Sequence, residues 1–166
     1  ANLSANKRGW DDRWEEFSVL AEKGLIYQNK LLNLVDKDTD AFNKIMEAFK
    51  LPKVTTADID LRNQSIQSAT KFAITVPLEV MKISFSSMNI MKEMAKNGNP
   101  NSVSDAAVGA LCARTAIHGA FLNVKINCKD YNDKEFVKTT LNDGKNILKK
   151  AISLENKILK ITEEKI

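Results

Sequence analysis

An all-α bundle of long, partly kinked helices is the fold this sequence predicts, and three observations predict it. Only six Gly and three Pro punctuate 166 residues, too few turn-formers for a sandwich or barrel of many short strands. Apolar residues recur at spacings of three and four over stretches far longer than a strand. The mix of 43% hydrophobic and 28% charged residues is that of a folded domain with a real core, neither disordered nor dense in disulfides. A chain of this length is one domain, so residues 1–166 are read as a single unit.

The first helix is predicted over residues 10–49. Its stripe is Trp14, Phe17, Ala21, Leu31, Val35, Phe42, Ile45 and Phe49, with Gly24 a candidate break. Leu51-Pro52-Lys53 ends it. A second helix is predicted over residues 56–96, opening where Thr56-Ala57-Asp58 supplies capping chemistry. Pro77 sits in its middle, cannot donate to the preceding turn and clashes with the carbonyl of Ala73, so a kink with freed backbone acceptors is expected. Such a kink serves either to wrap the core or to face a ligand. After the breaker cluster of residues 97–101 a third helix is predicted over residues 102–127. Ser102 and Asp105 have the spacing of a capping box. Residues 106–124 are small or apolar on nearly every side, which places this helix at the centre of the bundle. The turn Asp130-Tyr131-Asn132-Asp133 leads to a fourth, amphipathic helix over residues 133–163 with a solvated outer face.

Charge and composition exclude several functions. The 25 Lys and Arg exceed the 21 Asp and Glu by four, but they are spread along the chain without the clustered, aromatic-laced stripe that nucleic acid requires. No apolar run is expected to reach the roughly 18 residues of a membrane span, and no leader opens the chain. Cys112 and Cys128 would stand about 24 Å apart on one helix, too far to bond, which points to a reducing compartment. His118 is the single histidine and a structural residue on this reading, leaving neither a triad nor a zinc ligand set. Phosphate-binding glycine loops are missing from the sequence too.

Polar residues at apolar positions mark candidate chemistry. Around the first helix Asp36 and Asp40 fall toward solvent, whereas Asp38 falls within the stripe of Val35, Phe42 and Phe49. A carboxyl drawn from water has its charged form disfavoured and is poised for proton transfer near neutral pH. The other reading of Asp38 is a stripe-edge residue at a helix interruption or one paired with a Lys. On the third helix Asp105 and Asn123 share an azimuth, and Asn127 lies one turn beyond. Between them the same face carries Gly109, Cys112, Ala116 and Gly119. Polar ends with small residues between make a groove in which a flat ligand fits. The same residues also suit a helix cap followed by close helix packing.

These residues also carry a family resemblance. Gly98-Asn99-Pro100-Asn101-Ser102-Val103-Ser104-Asp105, then small residues, then Asn123-Val124-Lys125-Ile126-Asn127 resembles the signature of the cyclodeaminase/cyclohydrolase family. That family includes the folate domain of formimidoyltransferase-cyclodeaminase and its stand-alone bacterial relatives. Leu34-Val35-Asp36-Lys37-Asp38-Thr39-Asp40-Ala41-Phe42, Leu51-Pro52-Lys53, and Arg62 followed by Ala69, Ala73 and Val76-Pro77-Leu78 agree in order and spacing. The likeness covers most of residues 1–140.

The resemblance implies an all-helical homodimer that processes one-carbon units on tetrahydrofolate, with Asp38 as proton donor and acceptor. Asn99, Ser104, Asp105, Asn123 and Asn127 become folate-site candidates, with Arg62 as a further one. The implied reaction is conversion of 5-formimidoyltetrahydrofolate to 5,10-methenyltetrahydrofolate with loss of ammonia. The alternatives are methenyltetrahydrofolate cyclohydrolase and a non-catalytic helical module. The reading entails no cofactor beyond the folate carrier, no metal, no nucleic acid and no membrane. It adds a glutamate formimidoyltransferase as possible partner and a cytoplasmic location. Family members open with a Gly-rich turn and a small-residue helix ahead of a segment similar to Ala1-Asn2-Leu3-Ser4, so a fragment lacking that turn and helix is expected.

Overall fold

The computed structural model describes Ala1, Ser4 and residues 11–166. Asn2, Leu3 and Trp10, which entered the expectations above, lie outside the described residues. A short 3-10 turn, Asp11–Arg13, leads into helix α1, Trp14–Lys50. Helix α2 is Thr56–Asn97, α3 is Val103–Asn127 and α4 is Lys134–Glu163. No strand occurs among the described residues, as the shortage of turn-formers predicts.

The helix starts follow from local chemistry. Thr55, one residue before the predicted start of α2, caps it. Its hydroxyl accepts the Asp58 N–H at 3.1 Å and the Asp58 carboxylate accepts the Thr55 N–H at 2.9 Å, which completes a capping box. The bond from the Thr55 backbone holds the Asp58 carboxyl below its ordinary range. Asp133 caps α4 by accepting the Phe136 N–H at 3.0 Å. The box expected at Ser102 and Asp105 does not form, for Ser102 makes no side-chain cap bond. The chain enters α3 through a 3-10 turn, Pro100–Ser102, capped by the Asn99 side chain, which accepts the Asn101 N–H at 3.0 Å. That tight entry holds Ser102 at φ −119° and ψ 15°, far from the extended backbone that a side-chain cap adopts. Gly24 does not break α1, which runs through it for 37 residues, about 55 Å.

Helix α2, not α3, is the centre. It packs against α1, α3 and α4 and buries Ile74, Met81, Met88 and Ala95 completely. Helix α3 covers only one side of itself against α2 and α4, through Ala106, Ala110, Ala113, Ile117, Phe121 and Val124. Its outer side leaves Val108, Leu111, Leu122 and Ile126 exposed. An all-round apolar helix gains a second packing surface only if a neighbour is supplied, and the described residues supply none there. With its entry turn, α3 is long and apolar enough to cross a bilayer by length and composition, contrary to the expectation that no such stretch exists.

The predicted stripe of α1 is also corrected. Phe17 is buried, but Trp14, Val35, Phe42 and Phe49 are exposed. The residues pressed on α2 are Leu34, Ala41 and Ala48, with Ala73, Val76 and Ile83 opposite in the first part of that seam. Small residues let two helix axes approach, so α2 settles on the alanine row and leaves the bulky row, 100° away, in solvent.

Polar ties close the bundle. The Arg114 Nε donates to the buried Glu155 at 2.8 Å between α3 and α4. Gln67 bridges the turn before α4 through the Asp130 carbonyl and the Asn132 N–H. Lys165 donates to the carbonyls of Ala95 and Lys96 at 2.8 and 2.6 Å, serving the otherwise orphaned end of α2.

Candidate functional site

Because α1 and α3 pack on different sides of α2 rather than on one another, a trough runs between them with α2 as its floor. At one end a cleft of about 510 Å³ is lined by Asp38, Leu31 and Val35 of α1, by Pro77, Val80 and Ser84 of α2, and by Ala116, Ala120 and Asn123 of α3. The middle, about 400 Å³, shares Leu31 and Val35 with that cleft and adds Gly24, Tyr27, Gln28, Ser87, Ile90 and Met91. The far end, about 300 Å³, shares Ile90 and Met91 and is closed by Ser4, Gly98, Asn99, Ser102, Asp105 and Gly109.

The small-residue face of α3, expected to form one groove, borders the two ends of this trough and not its middle, which α1 and α2 line alone. Asp105, Gly109, Ala116 and Asn123 line those ends, whereas Cys112 and Gly119 do not and stand on the outward edge of that face. Cys112 is exposed, Cys128 is buried and both are free thiols. Burial raises the Cys128 thiol above its ordinary range. His118 is exposed and off the trough.

Four of the seven predicted site residues fall into two pairs. Asp38 and Asn123 face the same cleft at one end, and Asn99 and Asp105 the cleft at the other. Eighteen residues of α3 separate the ends, about 27 Å. Asp38 is exposed on the rim. The burial expected of it is not met in the single chain, because α2 seats on the alanine row and Asp38 lies beside that seam.

At the far end the backbone is held tightly. The Asn99 N–H donates to Ser4 Oγ at 2.8 Å. A Cβ on Gly98 would stand 2.6 Å from the Met94 carbonyl oxygen and 3.2 Å from Ser4 Oγ, so only glycine allows that approach.

The remaining candidates lie elsewhere. Ser104 is exposed and outside these clefts. Arg62 closes the end of α1, with its guanidinium over the Phe49 ring at 5.4 Å and donating to the Phe49 carbonyl at 3.4 Å. A cation there meets the negative end of the α1 dipole. Asn127 donates from Nδ2 to the Ala73 carbonyl at 2.8 Å, the acceptor that Pro77 frees. Sequence reasoning missed Tyr27, Gln28, Ser84 and Ser87. The serines recur at a helical spacing after Pro77 on α2, and that polar interruption of an apolar face was the available signal.

Residues 1–146 match the sequence model of a family described as Formiminotransferase-cyclodeaminase. The chain belongs to this family. A methenyltetrahydrofolate cyclohydrolase of Methylorubrum extorquens is 29% identical over 99% of this chain and 79% of its own length. The formimidoyltransferase-cyclodeaminase of Dictyostelium discoideum is 40% identical over 75% of the chain, a match that takes in 22% of that longer protein. The crystal structure of formiminotetrahydrofolate cyclodeaminase from Thermotoga maritima superimposes with a TM-score of 0.84 at 26% identity, over 98% of this chain and 77% of that one. The helical arrangement is therefore the family's own, and the resemblance read from residues 1–140 holds.

Proposed function

We propose that this member of the family is a formimidoyltetrahydrofolate cyclodeaminase, forming 5,10-methenyltetrahydrofolate and ammonia from 5-formimidoyltetrahydrofolate. The observation that carries the reading is the cleft in which Asp38 and Asn123 stand on facing helices beside Pro77. In the proposed reaction N10 attacks the formimidoyl carbon and a tetrahedral centre forms. The formimidoyl group enters protonated, as an amidinium. The Asp38 carboxylate takes the N10 proton and returns it to the formimidoyl nitrogen, whose bond to carbon breaks as ammonia leaves and the charge stays on the methenyl bridge. The Asn123 amide offers donor and acceptor to the pteridine edge. Asn99 and Asp105 extend the binding surface to the far end of the trough, and the apolar middle takes the aromatic part of the folate. Folate is the only carrier this chemistry uses.

The whole-chain likeness to the Methylorubrum protein favours a second reading, a methenyltetrahydrofolate cyclohydrolase. Ammonia release from the formimidoyl compound and hydrolysis of the methenyl compound, measured under one set of conditions, separate the two. Faster ammonia release is the expected result. Faster methenyl hydrolysis with negligible ammonia installs the second reading, and turnover of neither by the folded protein favours a non-catalytic helical module. The proposal also includes a homodimer, a glutamate formimidoyltransferase as the supplier of substrate, and a cytoplasmic location suited to the two free thiols.

A further inference from the structure

The Ala73 carbonyl has no helical partner, because the residue four positions on is Pro77. The side chain that serves it comes from another helix: Asn127 Nδ2, at the last residue of α3, donates to it at 2.8 Å. The two halves of this bond border different parts of the proposed site. Pro77 lines the cleft together with Asp38, and Asn123, one turn before Asn127, lines its opposite wall. Ala73 and Val76 also pack against Leu34 and Ala41 of α1, the helix that carries Asp38. The broken turn of α2 is thus clamped from both sides, by apolar contact to α1 and by one hydrogen bond to α3.

We propose that Asn127 is a positioning residue, which touches no substrate and sets the separation of Asp38 and Asn123 by pinning the end of α3 to the proline turn. The inference rests on the cyclodeaminase reading of the cleft only for its kinetic consequence. The hydrogen bond and the geometry it holds stand apart from that reading. An asparagine suits the role because its amide donates without bringing a charge into a half-buried seam.

A double-mutant cycle tests it, with Asn127→Ala, Pro77→Ala and the two combined, and Asn127→Ser as a milder second variant. Pro77→Ala restores an N–H that closes the helical bond to Ala73, so the carbonyl no longer needs Asn127. Expected in the wild-type background is a loss of about tenfold in the folding equilibrium constant for Asn127→Ala, the cost of a carbonyl left unserved. In the Pro77→Ala background the same change should cost less than about threefold. With 5-formimidoyltetrahydrofolate, kcat should fall about tenfold with KM nearly unchanged, and this loss too should shrink when Pro77 is absent. Nitroxide labels at positions 39 and 116, with Cys112 replaced by Ser, should report a shifted or broadened separation across the cleft in Asn127→Ala. Equal stability losses in both backgrounds would overturn the inference. So would a KM rise of tenfold or more that is independent of Pro77, the mark of a substrate contact, or an unchanged label separation. If the wild-type protein turns over neither folate compound, the functional reading fails by itself, and the folding cycle and the label distance still decide the role of Asn127.

Discussion

Asp38 and Asp36 lie two positions apart on α1, both exposed, yet only Asp38 borders the cleft. That difference makes them a matched pair for testing proton transfer. Asp38→Asn removes the group that exchanges protons and keeps its size and hydrogen-bonding shape. Its turnover should therefore fall by about 10²-fold or more while folate binding and the fold persist. Asp36→Asn removes the same charge from the same helix and should change turnover by less than about twofold. Steady-state kinetics on both proteins, with circular dichroism as the control for folding, provide the measurement. Equal losses would assign the effect to helix charge, and near-normal turnover of Asp38→Asn would remove that carboxylate from the mechanism.

Among the helices, the seam between α3 and α4 is the one where a single methyl group decides stability. A Cβ added at Gly144 would stand 2.5 and 2.6 Å from Cε2 and Cδ2 of Phe121, a ring that is 5% exposed and packed in the main core. Two effects of Gly144→Ala oppose each other. Alanine favours the helix by about 1 kcal/mol over glycine, whereas overpacking a closed core costs about 1–3 kcal/mol. Because the ring is buried in the core and closer than any ordinary Cβ contact, the second is expected to win and the variant should unfold at lower denaturant by about 1 kcal/mol net. Adding Phe121→Leu should recover most of that loss, and a Gly144→Ala protein more stable than the wild type would contradict the packing. Helix existence and approximate ends were legible because their causes are local, but two caps fell on neighbours of the residues expected. Thr55 stands in place of Thr56 for α2, and Asn99 before a 3-10 turn in place of Ser102 for α3. Which row of α1 is buried was not legible, because Leu34, Ala41 and Ala48 differ from Val35, Phe42 and Phe49 only in what α2 brings against them. The small residues of α3 marked the two ends of the trough, through Gly109 and Ala116, but not its middle. The duties of Asn127 and Arg62 were not legible, since each serves a carbonyl on a different helix.

At the scale of the molecule, many of the exposed apolar residues fall in rows on two helices. On α1 they form the row Leu25, Leu32, Val35, Phe42, Met46 and Phe49, and on α3 Val108, Leu111, Leu122 and Ile126, beside the trough that runs between the two helices. Val35 and Phe42 are each 63% exposed. Single exposed apolar side chains are ordinary, but rows of them flanking an apolar groove exceed what a monomer in water usually carries. The spacing along α1, in steps of three, four and seven, is the one by which a helix seats against another helix. A second copy of the chain presents the same rows and can meet them across a two-fold axis. The expected outcome is a homodimer in sedimentation at micromolar concentration. Phe42→Glu should dissociate it without unfolding it, because Phe42 contributes little to the core of the single chain and a glutamate is a good helix former. Its helical circular dichroism should match the wild type while its sedimentation coefficient falls to that of a monomer. A wild-type protein already monodisperse as a monomer would leave these rows without a partner copy, and a Phe42→Glu protein that stays dimeric would move the interface off the α1 row and onto the outer face of α3.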